Sequence, residues 1–265
     1  MTPPVAMTVA GTDSGGSAGL ACDLKTFLGC GVHGVFAVTA VTVQNSVGVT
    51  GVHEVPPETV AAQIASVAGD IGVDAAKTGM LASTPIIEAV AAAFREHRIA
   101  PLVVDPVAAS MHGDPLLRPD ALDAYRELLF PMATLITPNL DEVRLFTGID
   151  VHDRASAEKA AAALHAYGPE WVLVKGGHLA GGPALDLLFD GSDFVELTAP
   201  RHPSPHTHGG GDCLGAAVTA SLARGVGVVD AVRAGKEYVT RAVAGSYPLG
   251  KGVGPVGHFW WGAPI

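Results

Sequence analysis

His206-Thr207-His208-Gly209-Gly210-Gly211-Asp212-Cys213-Leu214-Gly215-Ala216-Ala217 joins a polar approach, three glycines and an apolar run with helical character. Consecutive glycines let a backbone come close to an anion, because no Cβ stands in the way. The N–H groups of the helix's first turn, and its positive end, then point at that anion. Asp212 falls at the helix start, where its carboxylate can take the proton of a hydroxyl attacking a phosphoryl group. Phosphoryl transfer needs mainly positioning and charge stabilisation, and this turn offers both. The same letters also describe a plain glycine turn capped by Asp212, since Asp is a favoured N-cap. The turn is not a P-loop, because no Gly-Lys-Ser/Thr occurs. Gly11-Thr12-Asp13-Ser14-Gly15-Gly16 lacks the glycine spacing of a dinucleotide fingerprint. What surrounds the turn therefore decides its reading.

Outward from it, short β-rich apolar segments alternate with Ala-rich helical ones. The expected strands are Val5–Ala10, Val35–Thr42, Ala75–Thr78, Leu102–Asp105, Leu135–Thr137, Trp171–Lys175 and Ala184–Phe189. The expected helices are Ala18–Cys30, Pro57–Ala68, Thr84–His97, Leu122–Leu129, Leu140–Leu145, Ser156–Ala166, Asp212–Ala223 and Val229–Ser246. Pro57 suits a first helical position, and Thr84-Pro85 reads as an N-cap followed by proline. Alternation of this kind predicts an α/β fold with a central, mostly parallel sheet and helices on both faces. With no linker or repeat between halves, residues 1–265 read as a single domain. Ligands of such sheets bind beyond the carboxyl ends of strands. Gly11–Asp13, Gln44-Asn45, Asp105 and Lys175-Gly176-Gly177 all fall at such ends, which points to one crevice.

Composition narrows the partners. The 48% hydrophobic content fits strands buried on both faces, yet no run reaches the ~18 apolar residues of a membrane span. A net charge of −10, with 16 Lys and Arg and no basic run, argues against nucleic acid. The first residues lack the basic flank and long apolar region of a secretory signal. Three cysteines with no CxxC pair fit a reducing compartment. The expected location is cytoplasmic. His206 and His208 have no third ligand nearby in sequence, so hydrogen bonding or phosphate contact is the reading there rather than zinc. Cys22 and Cys30 are expected to pack as small apolar groups.

Ordered blocks then carry a resemblance. They are Ala10-Gly11-Thr12-Asp13 with Ala18-Gly19 and Asp23-Leu24-Lys25; Val43-Gln44-Asn45; Lys77-Thr78-Gly79-Met80-Leu81; Asp105-Pro106-Val107; and Gly113-Asp114-Pro115-Leu116-Leu117. Thr137-Pro138-Asn139-Leu140-Asp141-Glu142, Lys175-Gly176-Gly177-His178, Thr207-His208-Gly209 and Gly254-Pro255-Val256 complete them. From about Val9 to Phe259 the chain resembles the hydroxymethylpyrimidine/phosphomethylpyrimidine kinases of thiamin biosynthesis, within the ribokinase-like superfamily.

The resemblance implies ATP and Mg2+, a small pyrimidine substrate, a homodimer, and Asp212 as catalytic base. It implies a ring pocket at Ala18, Asp23, Gln44, Met80 and Val107. A Gln amide can donate to a ring nitrogen and accept from an exocyclic amine, and Met offers adaptable apolar surface. Without the resemblance, Gln44 is a strand-end polar residue, Met80 and Val107 are ordinary core, and Asp23 is a solvated helix charge. Asn139, Lys175, Thr207, Gly209, Gly210 and Gly211 form the expected nucleotide-binding set. Asp105 and Glu142 form the metal set, with hard oxygens suited to magnesium and Glu142 able to act through water. Their plain readings are a turn opener for Asp105 and a snorkelling surface lysine for Lys175.

Two departures stand out. Many members carry Cys where this chain has Asp212, while pyridoxal kinases share the Asp. The first loop reads Asp13-Ser14-Gly15-Gly16-Ser17 where the family often has Asp-Pro-Ser-Gly-Gly. Pyridoxal kinase and a non-catalytic pyrimidine-binding protein are thus the alternative functions.

Overall fold

The computed structural model describes residues 2–177 and 184–259; His178 of the Lys175 block lies outside them. The chain runs β1 (Val5–Ala10), α1 (Gly19–Gly29), β2 (His33–Val38), β3 (Ala40–Asn45), β4 (Gly48–Glu54), α2 (Pro57–Asp70), β5 (Ala75–Thr78), α3 (Thr84–His97) and β6 (Leu102–Val104). It continues with α4 (Leu122–Ala124), which passes into a π-helical stretch (Tyr125–Leu129), then β7 (Leu135–Ile136), α5 (Leu140–Thr147), α6 (Arg154–His165) and β8 (Trp171–Gly176). β9 (Ala184–Phe189), β10 (Phe194–Ala199), α7 (Gly210–Ala223) and α8 (Val228–Ala244) follow.

Among the described residues, eight strands form one sheet in the order β10-β9-β8-β7-β6-β5-β1-β2. The pairings from β2 to β8 are parallel, and β9 is antiparallel to both neighbours. β1 feeds β2 on one side, and the chain then returns to place β5 on its other side. That reversal makes β1/β5 the switch point at which a ligand crevice opens.

Successive side chains of a strand face opposite ways, and both faces here are dry. Leu102 and Val104 of β6, with Val172 and Val174 of β8, meet the core under α2, α3, α5 and α6. Val103 and Leu173 face α7 and α8. α1 shares that second face through Phe27, which packs with Ala6 and Ala216. Each fully buried Leu or Val contributes roughly 1.5–3 kcal/mol relative to exposure. The continuous apolar strands of the sequence are thus those of a sheet covered on both sides. No helix among the described residues is long and apolar enough to cross a membrane.

The structure corrects several expectations. Val35–Thr42 is not one strand. The chain leaves the sheet at Thr39, whose N–H donates to Ala10 O (3.0 Å) and whose hydroxyl donates to Met80 O (2.6 Å). β3 then pairs with β4 as a separate antiparallel ribbon, bulged between Val43 and Gln44. β10 is a strand outside the expected set. Leu122–Leu129 is only briefly α-helical before it widens. At α3 the N-cap is Ser83, and Thr84 is already helical.

Candidate active site

The glycine turn closes over the carboxyl ends of the strands. Gly209 has φ 83°, the left-handed region that favours glycine, and a Cβ there would collide with the Ser17 carbonyl oxygen. The turn is therefore seated on the loop after β1. A Cβ on Gly211 would stand 3.6 Å from Lys175 Nζ and 3.8 Å from Asp105 Oδ2. The same turn thus faces the ends of β6 and β8. Thr207 is exposed just before it, and its carbonyl accepts from the Gly210 N–H at 3.0 Å.

Asp212 lies in the first turn of α7, with its side chain 17% exposed. Beneath it is Lys77, a residue of β5 with no exposed surface. Its Nζ is 3.6 Å from Asp212 Oδ1 and 2.7 Å from Asp23 Oδ1. The Thr8 hydroxyl donates to the other Asp23 oxygen at 2.6 Å. Lys77 passes close to Gly215 of α7, where a Cβ would stand 3.5 Å from Lys77 Cε. Burial works against this ammonium, but the carboxylates of Asp23, Asp212 and Asp105 outweigh it and raise its pKa above the ordinary lysine value. Lys77 therefore stays charged and supports the Asp212 carboxylate from below. Asp23 is not a wall of an open ring pocket: fully buried, with both oxygens bonded, it reaches the crevice only through Lys77. Sequence reading gave Lys77 no role, although a lysine within Ala75-Ala76-Lys77-Thr78 was itself a signal.

A second charge cluster stands across the turn. Lys175 Nζ is 2.9 Å from Asp105 Oδ1, which also accepts from the Thr137 hydroxyl at 3.2 Å. Burial opposes the Lys175 charge, yet Asp105 and Glu142 hold its pKa above the ordinary value. Asn139 caps α5: its side chain accepts from Glu142 N, while Asn139 N donates to Glu142 Oε2 at 2.7 Å. This reciprocal capping box fixes Glu142 in place. Burial pushes its carboxyl up to about 7, against the pull of Lys175. The carboxylates of Asp105 and Glu142 are the hard oxygen donors that magnesium takes. Asp105 Oδ2 looks toward the glycine turn, so this donor set fits the ion.

The residues expected to face a ring lie at and beside the β3–β4 ribbon. Met80 packs with Ala40 and Ala82, with partly buried Val107 against them. A Cβ on Gly11 would meet Met80 Sδ at 3.1 Å. Gln44, at the ribbon's bulge, has its amide nitrogen 3.3 Å from His208 Nε2 and its oxygen 3.3 Å from the Thr42 hydroxyl. His208 Nδ1 is buried with no hydrogen-bond partner, and burial lowers the pKa of the ring. The Ala18 N–H donates to Asp13, whose carboxylate also accepts from Gly15 and Ser17. Asp13 is thus the organiser of the loop on which the turn sits. Gln44 thus reaches the turn through His208, Met80 and Val107 pack together by Ala40, and Ala18 sits on the loop that Asp13 organises, whereas Asp23 is buried against Lys77.

A groove of about 500 Å³ runs between β10 and α8, lined by Leu197, Thr198, Pro200, Lys236, Glu237 and Thr240 among others. β10 runs in the same sense as β8, so Pro200 emerges on the edge that carries Lys175. Arg201 donates to the Gly177 carbonyl and joins the two ends.

Comparison with known proteins gives the chain's family. Residues 13–257 match the family model described as Phosphomethylpyrimidine kinase. The hydroxymethylpyrimidine/phosphomethylpyrimidine kinase of Mycobacterium tuberculosis is 57% identical over 258 residues, 97% of this chain and 94% of the relative. Among solved structures, an ADP complex of Bacillus subtilis pyridoxal kinase superposes with a TM-score of 0.91 at 39% identity, covering 97% of this chain and 98% of the other. A phosphomethylpyrimidine kinase from Clostridium difficile gives 0.80 at 36% identity, covering 91% and 99%. With its mostly parallel ribokinase-like sheet and a match over nearly its whole length, the chain belongs to the phosphomethylpyrimidine kinase family of phosphotransferases.

Proposed function

We propose that this kinase uses ATP to phosphorylate 4-amino-5-hydroxymethyl-2-methylpyrimidine and then its monophosphate, supplying the diphosphate for thiamin biosynthesis. The observation that supports the reading is the closeness of the glycine turn that carries Asp212 to the Lys175–Asp105 pair on one side and, through His208, to Gln44 on the other. The Gln44 amide exchanges its contacts with His208 and Thr42 for the ring nitrogen and amine of the substrate. Ala18 and Met80 face the ring. Asp23 and Lys77 are positioning residues behind the base. The groove between β10 and α8 receives the adenosine, and Lys175, Asn139, Thr207 and the amides of Gly209, Gly210 and Gly211 hold phosphates.

In the first step the ring alcohol's oxygen attacks the γ-phosphorus, its bond to the β-phosphate oxygen breaks, and Asp212 takes the alcohol proton. In the second step the acceptor is a phosphate oxygen that is already ionised at neutral pH, so Asp212 has no proton to remove. Mg2+, when bound, neutralises phosphate charge; Asp105 would hold it directly. Glu142, whose carboxylate already accepts from Asn139 N–H, would hold it through water. The fold is read as one domain. Val41 and Val43, exposed on the ribbon, support a homodimer, and three unpaired cysteines support a cytoplasmic setting.

Separate assays of the two steps test this. Asp212→Asn is expected to lose about 10²–10⁴-fold in the alcohol step and far less in the monophosphate step. Equal losses would remove the base assignment. The 39% identity to a pyridoxal kinase favours one second reading, action on a pyridine alcohol. Preference for pyridoxal over the pyrimidine in the same assay would replace the first reading by the second.

A further inference from the structure

Beside the glycine turn, against Gly209, three metal-ligating side chains meet with no part in the chemistry above. Cys22 comes from α1, Cys213 from the first turn of α7, and His258 from the segment after Val256. All three are buried, and their donor atoms lie within 4.8 Å of one another. Cys22 Sγ is 3.8 Å from His258 Nε2, and Tyr238 Oη is 3.5 Å from the other ring nitrogen, Nδ1. Cys22, Cys213 and Tyr238 share one small core with Val256.

We propose that Cys22, Cys213 and His258 form a binding site for a soft divalent d10 cation, of which zinc(II) is the type. Metal–sulfur bonds near 2.3 Å and metal–nitrogen bonds near 2.0 Å place neighbouring ligand atoms roughly 3.5–4 Å apart. The Cys22–His258 separation of 3.8 Å already matches that edge. No spacing exceeds 4.8 Å, so closure on an ion needs a contraction of at most about 1 Å. The remaining ring nitrogen of a ligating histidine commonly bonds a partner that fixes its orientation, and the Tyr238 hydroxyl stands in that place.

Charge selects the ion. In binding, both thiols ionise, two metal–sulfur bonds and one metal–nitrogen bond form, and two protons leave for solvent. A divalent cation with two thiolates and a neutral imidazole carries no net charge, which a buried site tolerates. Hard ions such as magnesium prefer oxygen donors, so this site and the phosphate site would not compete for one metal.

The position gives the site a consequence. Cys213 directly follows Asp212, and Cys22 Sγ lies 3.4 Å from the Gly209 carbonyl oxygen, to which its thiol donates when no ion is bound. A bound ion fastens α1 and the C-terminal segment to the turn that carries the base.

The test uses the full chain, freed of metal by a chelator and kept reduced. Cadmium(II) is titrated while the ultraviolet thiolate-to-cadmium band is followed, and zinc(II) is then measured by competition. The expected result is saturation at one ion per chain, a rise in Tm, and no loss of the band in Cys30→Ser. Cys22→Ser should remove most of the band. Tyr238→Phe should weaken binding about 10-fold or more while leaving the number of thiolates unchanged. Absence of a saturable band in the wild-type chain overturns the proposal whatever the variants do. Binding unchanged in both Cys22→Ser and His258→Gln overturns it equally, since the ion would then sit on surface histidines.

Discussion

Lys77 shows how one side chain can tie stability to chemistry. Its ammonium has no exposed surface and touches two carboxylates, the buried Asp23 and the proposed base Asp212. Lys77→Met leaves Asp23 buried beside only a hydroxyl, and removal of one partner of such a pair costs about 3–5 kcal/mol. Pairing it with Asp23→Leu should return most of that stability in urea unfolding. The alcohol-phosphorylation kcat of the double variant should stay depressed by about 10²-fold, because Asp212 is no longer held. Recovery of both together would reduce Lys77 to a packing element. His208 makes a separate point about pH. Burial lowers its pKa from the ordinary 6.5, so the unfolded chain takes up a proton there before the folded one does. Stability from this residue is complete above about pH 6.5 and falls as the pH drops through and below it. Between about pH 7 and about pH 5 the wild type should therefore lose more stability than His208→Gln. Identical losses would show that the ring titrates alike in both states. Asp105, Lys175 and Asp212 stand out in the sequence as polar letters at a strand end or helix start, whereas Asn139 and Glu142 stand out only through the family resemblance. The pairing of Lys77 was not legible, since Asp23 and Asp212 approach it only once α1 and α7 dock on the same face of the sheet.

The elements on the antiparallel edge depend on a second buried pair. Asp186 of β9 accepts from Lys236 Nζ of α8 at 2.5 Å and from Gly176 N of β8 at 3.0 Å. One carboxylate thus links two strands and a helix beside the groove proposed for adenosine. Asp186→Ala should cost about 3–5 kcal/mol in urea unfolding by stranding the lysine. Joint replacement, Asp186→Leu with Lys236→Met, should recover most of it, and failure to recover would point to the Gly176 bond instead. The parallel strands were legible as apolar runs between helices, because both of their faces are buried. The ribbon was not. Val35 to Thr42 reads as continuous β-prone sequence, and the break at Thr39 comes from hydrogen bonds to Ala10 and Met80 that are distant in the chain. β10 escaped notice because Glu196 and Thr198 of Phe194–Ala199 are exposed, which breaks the apolar run of a covered strand.

At the scale of the molecule, one core draws on β1, β2 and β5 to β9, from Met7 to Phe189, and on the five helices α2 to α6. A chain so joined should unfold in one cooperative calorimetric transition with matching van't Hoff and calorimetric enthalpies. Two resolved peaks would divide the domain. The other face is organised around α7, where residues from Cys213 through Ala220 are all buried. A rod sheathed along its length has no cheap way to roll or slide, because every rotation trades close packing for voids. Asp212, the proposed base at its tip, is accordingly a stationary anvil. Whatever travel brings donor and acceptor into line is left to the ligands and to the two-stranded ribbon overhead, whose Val41 and Val43 are half-bare to water.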